Sequence, residues 1–400
     1  MPVKEGQRKG RNGRMTETER IYAYWLCSIP MIGGVRAGQL LERFGSPRGI
    51  YEAGAAGWKE ILSDSIVEYM DTQKKNTHPE DEYRLMEEKQ IRLVLCEDAD
   101  FPEKLKSIPD PPYGIFYKGM LPREEKPSVA IIGARECSEY GRFVAEELGQ
   151  YLGRQKIQVI SGMARGIDGI SQQAALSTGG VSFGVLGCGV DICYPGQNRG
   201  LYEELIRTGG VLSTYAPGIR PMPAYFPPRN RIVSGLADAL IVIEARQKSG
   251  TLITVDMALE QGRDVYVVPG RITDRLSDGC NRLLTQGAGV FLSPENFVDE
   301  FIASWEEKRG IMQEESENSK KKRHRKAKAA KSIKPGIDML EEPLRQVYGL
   351  LNVMPKTTED ILQAAWNAGS YLNISTLNRA LMELELLGYA RQNGPGRYSL

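Results

Sequence analysis

The segment Phe226-Pro227-Pro228-Arg229-Asn230-Arg231 and the turn Gly133-Ala134-Arg135-Glu136-Cys137-Ser138 carry the residue types that meet phosphate. Each lies beside an apolar run that reads as a strand. An arginine fork matches phosphate oxygens bidentately, and glycine leaves backbone N–H groups open to close approach. Two cationic turns on one frame suit a phosphate polymer better than a single phosphate. In the first segment Arg229 and Arg231 are assigned to phosphates, and Phe226 or Tyr225 to base stacking, worth ~1–3 kcal/mol per base in single-strand binders. The competing reading buries one arginine against Asp238 or Glu244 and puts Phe226 in the core. It is expected to hold for one of the two arginines.

Other turns repeat the pattern of glycine and hydroxyl groups at a helix start. Ser138-Glu139-Tyr140-Gly141 leads into an amphipathic helix bearing Phe143, Val144, Leu148 and Leu152. Such an entry exposes unpaired N–H groups at the positive end of the helix dipole. Ser161-Gly162-Met163-Ala164-Arg165-Gly166-Ile167-Asp168 also ends a strand and opens a helix. Asp168 is expected to cap that helix rather than act catalytically. Lys248-Ser249-Gly250-Thr251 and Ser277-Asp278-Gly279-Cys280-Asn281 complete the set. The candidate ligand-contacting residues are Gly133, Arg135, Ser138, Gly162, Arg165, Phe226, Arg229, Asn230, Arg231, Lys248, Ser249, Gly250, Thr251 and Asn281. The first turn is not a dinucleotide fingerprint, because Arg135 and Ser138 stand where G-x-G-x-x-G needs glycine. No Gly-Lys-[Ser/Thr] of a P-loop occurs in the chain.

These turns must be held by elements, and the apolar runs supply them. Val129–Ile132, Gln158–Ile160, Phe183–Leu186, Ala239–Ile243 and Val265–Val268 read as strands, most followed by glycine and a helical pattern. That alternation predicts a doubly wound, mostly parallel α/β sheet covered on both faces. Ligands of such sheets sit at the carboxyl ends of the strands, where these turns fall. Residues 1–14 read as a disordered basic tail and 15–90 as a helical domain. Within it Ile32-Gly33-Gly34 fits either a helix-hairpin-helix turn presenting amides to DNA or a tight turn in a small helical domain. The sheet domain runs from 91 to 308, starting with a strand at Ile91–Leu95 and a proline-rich connector through Pro109, Pro111 and Pro112. A basic linker, 309–334, holds the cluster from Lys320 to Lys331, a solvated tether or a nonspecific nucleic-acid contact. Residues 335–400 read as three helices and a two-stranded wing, a winged helix. Arg379 there stands against Glu383 and Glu385, a poor charge set for a DNA groove, so a protein contact competes with a DNA-reading role.

Composition bounds the rest. The 400 residues carry 52 Lys+Arg against 51 Asp+Glu, which excludes a polycationic coat protein and leaves nucleic-acid affinity to local clustering. The six cysteines form no C-x-x-C pair and only two histidines are present, so no metal and no cofactor are expected. No signal peptide and no apolar run near ~20 residues occur, so a cytoplasmic protein with reduced thiols and no membrane contact is expected.

The series Gly133-x-Arg135-x-x-Ser138-x-Tyr140-Gly141, Ser161-Gly162-x-Ala164-x-Gly166-Ile167-Asp168, Tyr194-Pro195-x-x-Asn198, Phe226-Pro227-x-Arg229-Asn230-Arg231, Glu244-Ala245 with Ser249-Gly250-Thr251, and Val268-Pro269-Gly270 with Gly279-Cys280-Asn281 resembles the DprA/Smf family, DNA-processing proteins of natural transformation. Asp98-x-Asp100-Phe101-Pro102 fits too. The resemblance implies an extended Rossmann-like domain flanked by a SAM or helix-hairpin-helix-like domain and a winged helix. It implies single-stranded DNA binding, homodimerisation, and loading of RecA onto strands covered by single-strand-binding protein, without enzymatic activity. Ala134 stands where a hydroxyl residue is usual in the family, and Gln172 where a histidine is common. The alternative is a nucleoside-monophosphate hydrolase related by fold, for which Glu244 and Asp256 are the available carboxylate pair. The turn Lys248-Ser249-Gly250-Thr251 departs from the Pro-Gly-Gly-x-Gly-Thr of those enzymes.

Overall fold

The computed structural model describes residues 15–310, 340–352, 355–370, 372–394 and 396–399. They divide into two units, one ending at Glu306 and one starting at Glu307. The basic tail 1–14 and the cluster from Lys320 to Lys331 lie outside the described residues.

The first unit begins with α1 (Glu17–Cys27), α2 (Gly34–Phe44), α3 (Pro47–Trp58), α4 (Asp64–Asn76) and α5 (Pro79–Glu88). Thr16 caps α1 by accepting from the Glu19 N–H, and Ser46 caps α3 from Gly49. Their apolar stripes converge on Trp25, Trp58, Leu40, Ile50 and Met70, all essentially buried. The same cluster continues into Phe116 and Val211 of the sheet and Leu186 just past β5, so the helices are packed onto it. A Cβ on Gly34 would collide with the Pro111 carbonyl oxygen. Gly34 therefore allows close packing of the start of α2 against the 110–111 segment.

After α5 come β1 (Arg92–Leu95), α6 (Glu103–Lys106), β2 (Gly114–Gly119), β3 (Ser128–Gly133), α7 (Glu139–Arg154), β4 (Gln158–Ser161), α8 (Ile167–Ser177), β5 (Ser182–Val185), α9 (Arg199–Thr208), β6 (Gly210–Ser213), α10 (Phe226–Gly235), β7 (Ala239–Ile243), α11 (Gly250–Glu260), β8 (Asp264–Val267), α12 (Asp278–Thr285), β9 (Gly289–Val290) and α13 (294–310). The strands form one sheet in the order β1-β2-β6-β5-β4-β3-β7-β8-β9. From β6 to β9 all neighbours are parallel, whereas β2 joins both β1 and β6 antiparallel. The expected proline-rich connector thus holds a strand: Gly114 to Phe116, just past the prolines, are buried within the sheet. The strands β3 and β7 are buried along almost their whole length, as a sheet covered on both faces requires.

The order places the topological switch between β3 and β7, paired from Val129↔Ala239 to Gly133↔Ile243. From β3 the chain proceeds outward through β4, β5 and β6, then returns to the other side of β3 as β7. The loops leaving β3 and β7 diverge, and a crevice opens at their carboxyl ends.

The second unit holds α14 (Leu344–Leu350), β10 (Lys356–Thr357), α15 (Thr358–Asn367), α16 (Ile374–Leu386), β11 (Arg391–Gly394) and β12 (Arg397–Ser399), with an antiparallel sheet ordered β10-β12-β11. A capping box starts α15: Thr357 accepts from the Asp360 N–H and Asp360 accepts from the Thr357 N–H. Val347, Ile361, Leu377 and Leu381 form its core.

Candidate nucleic-acid interface

A cleft of about 680 Å³ lies over the β3/β7 switch point, and a smaller hollow of about 210 Å³ adjoins it. Its walls are the β3–α7 turn, the β4–α8 turn, the start of α10 and the entry to α11. Most of the candidate residues are gathered here, although they come from turns far apart in the chain.

The cations divide by burial. Arg135, Arg165, Arg246 and Lys248 are exposed and form no salt bridge among the described residues. The Arg135 guanidinium stands 5.6 Å from the centre of the Phe226 ring, and the Tyr194 ring stacks with Phe226 at 5.7 Å and 28°. Phe226 is half-buried on the cleft wall and not in the core. A guanidinium over a ring face gains cation–π attraction and leaves its N–H edge for an anion.

Arg229 and Arg231 are not free forks. Arg229 is only 5% exposed. Its Nη1 donates to the Gly162 carbonyl at 2.7 Å and to the Val185 carbonyl, and its Nε donates to Asn230 Oδ1 at 3.1 Å. A Cβ on Gly162 would come within 2.6 Å of that guanidinium, so glycine is needed there for the arginine rather than for phosphate. Arg231 pairs with Asp110 at 3.1 Å with its side chain 17% exposed. Both arginines are therefore withdrawn, and their partners are neither Asp238 nor Glu244. Asp238 instead holds Lys104 and the Ser128 N–H, each at 2.8 Å.

Asp168 is buried as the second residue of α8, and the cap position belongs to Gly166. Its carboxylate accepts the Gly162 N–H at 3.1 Å. Burial pushes its pKa up, opposed chiefly by the charge of Arg229. Burial likewise pulls Arg229 below the ordinary guanidinium range, opposed by Asp168. The two charges compensate one another under the β4–α8 turn, and Gly162 is held from both sides: its N–H by Asp168 and its carbonyl by Arg229.

The α7 entry is also occupied from within. Glu244 follows β7 with φ of 60° and 2% exposure. It accepts the Ser138 N–H at 2.9 Å and the Ser138 hydroxyl. Ser138 Oγ in turn caps α7 by accepting from Gly141 at 3.1 Å. Ser138 thus has no donor left for a phosphate. Gly133 gives no open approach either, because a Cβ there would strike the Ile243 carbonyl oxygen and Ile167. Asn281 spends its amide on Gly270, accepting its N–H at 3.2 Å and donating to its carbonyl at 3.1 Å. Glu244 is held under α7 and Asp256 is exposed on α11, and neither lines the cleft, so the pair considered for a hydrolase does not face it. Gln172 is buried, donating to Ser182 Oγ and the Phe183 carbonyl.

The α11 entry remains open. Ser249 caps the helix by accepting from Thr251 at 3.2 Å, Lys248 is exposed beside it, and nothing lies within 4 Å of where a Gly250 Cβ would stand. Arg246 and Tyr194 were absent from the sequence-derived set, yet both line the cleft. Arg246 stands three positions beyond the end of β7 at Ile243, a signal that was legible. Tyr194 was visible only as part of a motif. Asn198 braces the wall, donating to the Met163 and Ala164 carbonyls at 3.0 and 3.1 Å.

The family described as DNA recombination-mediator protein A matches residues 92–302, from β1 into α13. The chain is 42% identical over 204 residues to the DNA processing protein DprA of Streptococcus pneumoniae, a match covering 51% of this chain and 72% of that protein. It is 29% identical over 397 residues to the protein Smf of Synechocystis, covering 94% of this chain and 98% of that protein. The X-ray structure of DNA processing protein A from Streptococcus pneumoniae matches the fold with a TM-score of 0.61 at 34% identity, covering 70% of this chain and 98% of that one.

Proposed function

From the premise that this chain belongs to the DNA recombination-mediator protein A family, we propose that its switch-point cleft binds single-stranded DNA without strong sequence preference. The observation that carries the reading is the pairing of Arg135 with Phe226 at 5.6 Å on the cleft wall, beside the exposed Arg165, Arg246 and Lys248. Phosphates meet the cations and the α11 entry, while an unstacked base lies against Phe226 or Tyr194. No residue of this set reads base edges, which suits binding that tolerates any sequence.

The proposed physiological role is to help load RecA onto strands covered by single-strand-binding protein during DNA uptake and recombination, as a cytoplasmic homodimer. The resemblance of the motifs supports that part. The domain division is proposed as 15–90, 91–308 and 335–400 about a linker at 309–334. The last domain is read as a winged helix, supported by its order of helix, strand, two helices and hairpin. Titration of labelled single-stranded and duplex oligonucleotides of equal length tests the function. Preference for the single strand is expected; preference for the duplex overturns it.

A further inference from the structure

We propose that Glu244 is the specificity determinant of the cleft: it fills the phosphate seat of the switch point with the chain's own carboxylate, so that free nucleotides are excluded and only a polymer is held. This rests on the single-strand reading above. In doubly wound sheets the first turn after the switch-point strand seats a phosphate at the following helix N-terminus. Here that position is the entry to α7, where the Ser138 and Gly141 donors are already taken. Glu244 accepts both the N–H and the hydroxyl of Ser138, and Ser138 accepts the Gly141 N–H. A Cβ on Gly141 would collide with the Glu244 carboxylate, so glycine at 141 admits the carboxylate and nothing larger fits between.

The backbone at Glu244 adds a second observation. A φ of 60° is costly for a residue other than glycine, and this chain nevertheless carries glutamate there, buried to 2% exposure. Glycine would relieve the strain, so the retained side chain is doing something that glycine does not. What it does electrostatically is direct: a buried carboxylate repels a phosphate and neutralises the α7 dipole end.

The remaining anion contacts, Arg135, Arg246, Lys248 and the α11 entry, lie on separate turns. A mononucleotide reaches one of them, whereas a strand reaches several at once. Discrimination then follows from multivalency, with the single strong seat closed.

The test uses the full-length protein, its Glu244→Gly and Glu244→Gln variants, thymidine monophosphate and labelled oligothymidylate, with thermal melts alongside. Glycine suits the φ and empties the seat; glutamine keeps the shape and removes the charge. The ratio of monophosphate affinity to oligothymidylate affinity is expected to rise about tenfold in Glu244→Gly, the scale of a charge-assisted hydrogen bond gained, and in the same direction but less in Glu244→Gln. A merely structural role lowers both affinities together and leaves the ratio unchanged, which overturns the proposal. If Glu244→Gly does not fold, the ratio in Glu244→Gln decides. A parent protein that binds the monophosphate as well as the variants do also overturns it. Failure of the parent to bind oligothymidylate is a different result, and it overturns the single-strand reading itself.

Discussion

The guanidinium of Arg135 lies over the ring of Phe226, 5.6 Å from its centre, although one residue leaves β3 and the other opens α10. Arg229 stands 5.8 Å from the centre of the same ring, but buried and bonded to two carbonyls. Two arginines near one ring therefore differ in setting, one exposed at the cleft and one holding the wall.

Arg135→Ala should weaken single-strand binding about tenfold while the melting temperature stays near the parent, because an exposed side chain with one cation–π contact is removed. Arg229→Ala should instead destabilise the first unit by about 3–5 kcal/mol, since it leaves Asp168 buried without its compensating charge. Thermal melts with parallel titrations separate the two. Equal stability of both variants would contradict the assignment.

Gly133→Val should lower stability before it affects binding. Its side chain meets the Ile243 carbonyl and Ile167, and overpacking of this kind costs about 1–3 kcal/mol or more where backbone cannot give way. Gly250→Ala faces open space and should melt like the parent. Denaturant unfolding of the two proteins checks the contrast, and a stable Gly133→Val would show that β3 and β7 can part.

Phe226→Ala should cost ~1–3 kcal/mol of oligonucleotide affinity through lost stacking, with little change in the salt slope. Lys248→Ala should do the reverse, lowering the slope of log affinity against log salt by ~0.7 for the phosphate it no longer neutralises. Anisotropy titrations across a salt series read both numbers. Similar slopes in parent and Lys248→Ala would remove that lysine from the phosphate path.

Deleting residues 335–400 should leave single-strand affinity nearly unchanged at physiological salt, because α16 carries Glu383 and Glu385 beside Arg379. Two truncations, one ending before Lys320 and one after Lys331, should diverge only at low salt, where a Debye length of ~30 Å at 0.01 M lets exposed charges act at a distance. A large loss at physiological salt in the chain that keeps the basic cluster would make the C-terminal unit a DNA-binding element in its own right.

The parallel strands β3, β4, β5, β7 and β8 and the turns at their carboxyl ends were legible from residue order alone, because each depends on local periodicity and side chains a few positions apart. The strands β2, β6 and β9 were not: bounded by or following proline or glycine, they become strands only by pairing with partners elsewhere in the chain. The same holds within the site. Residue type marked Arg135 and Arg229 alike, and only packing sorted one to the surface and the other to the Gly162 and Val185 carbonyls. Ser138 and Gly133 looked like an open anion cradle until β7, pairing beside β3, carried Glu244 beneath α7. Sequence determined which groups were available for phosphate; the tertiary pairing of strands decided which of those groups the protein had already used on itself, because a hydrogen-bond donor buried against a carboxylate cannot be offered twice.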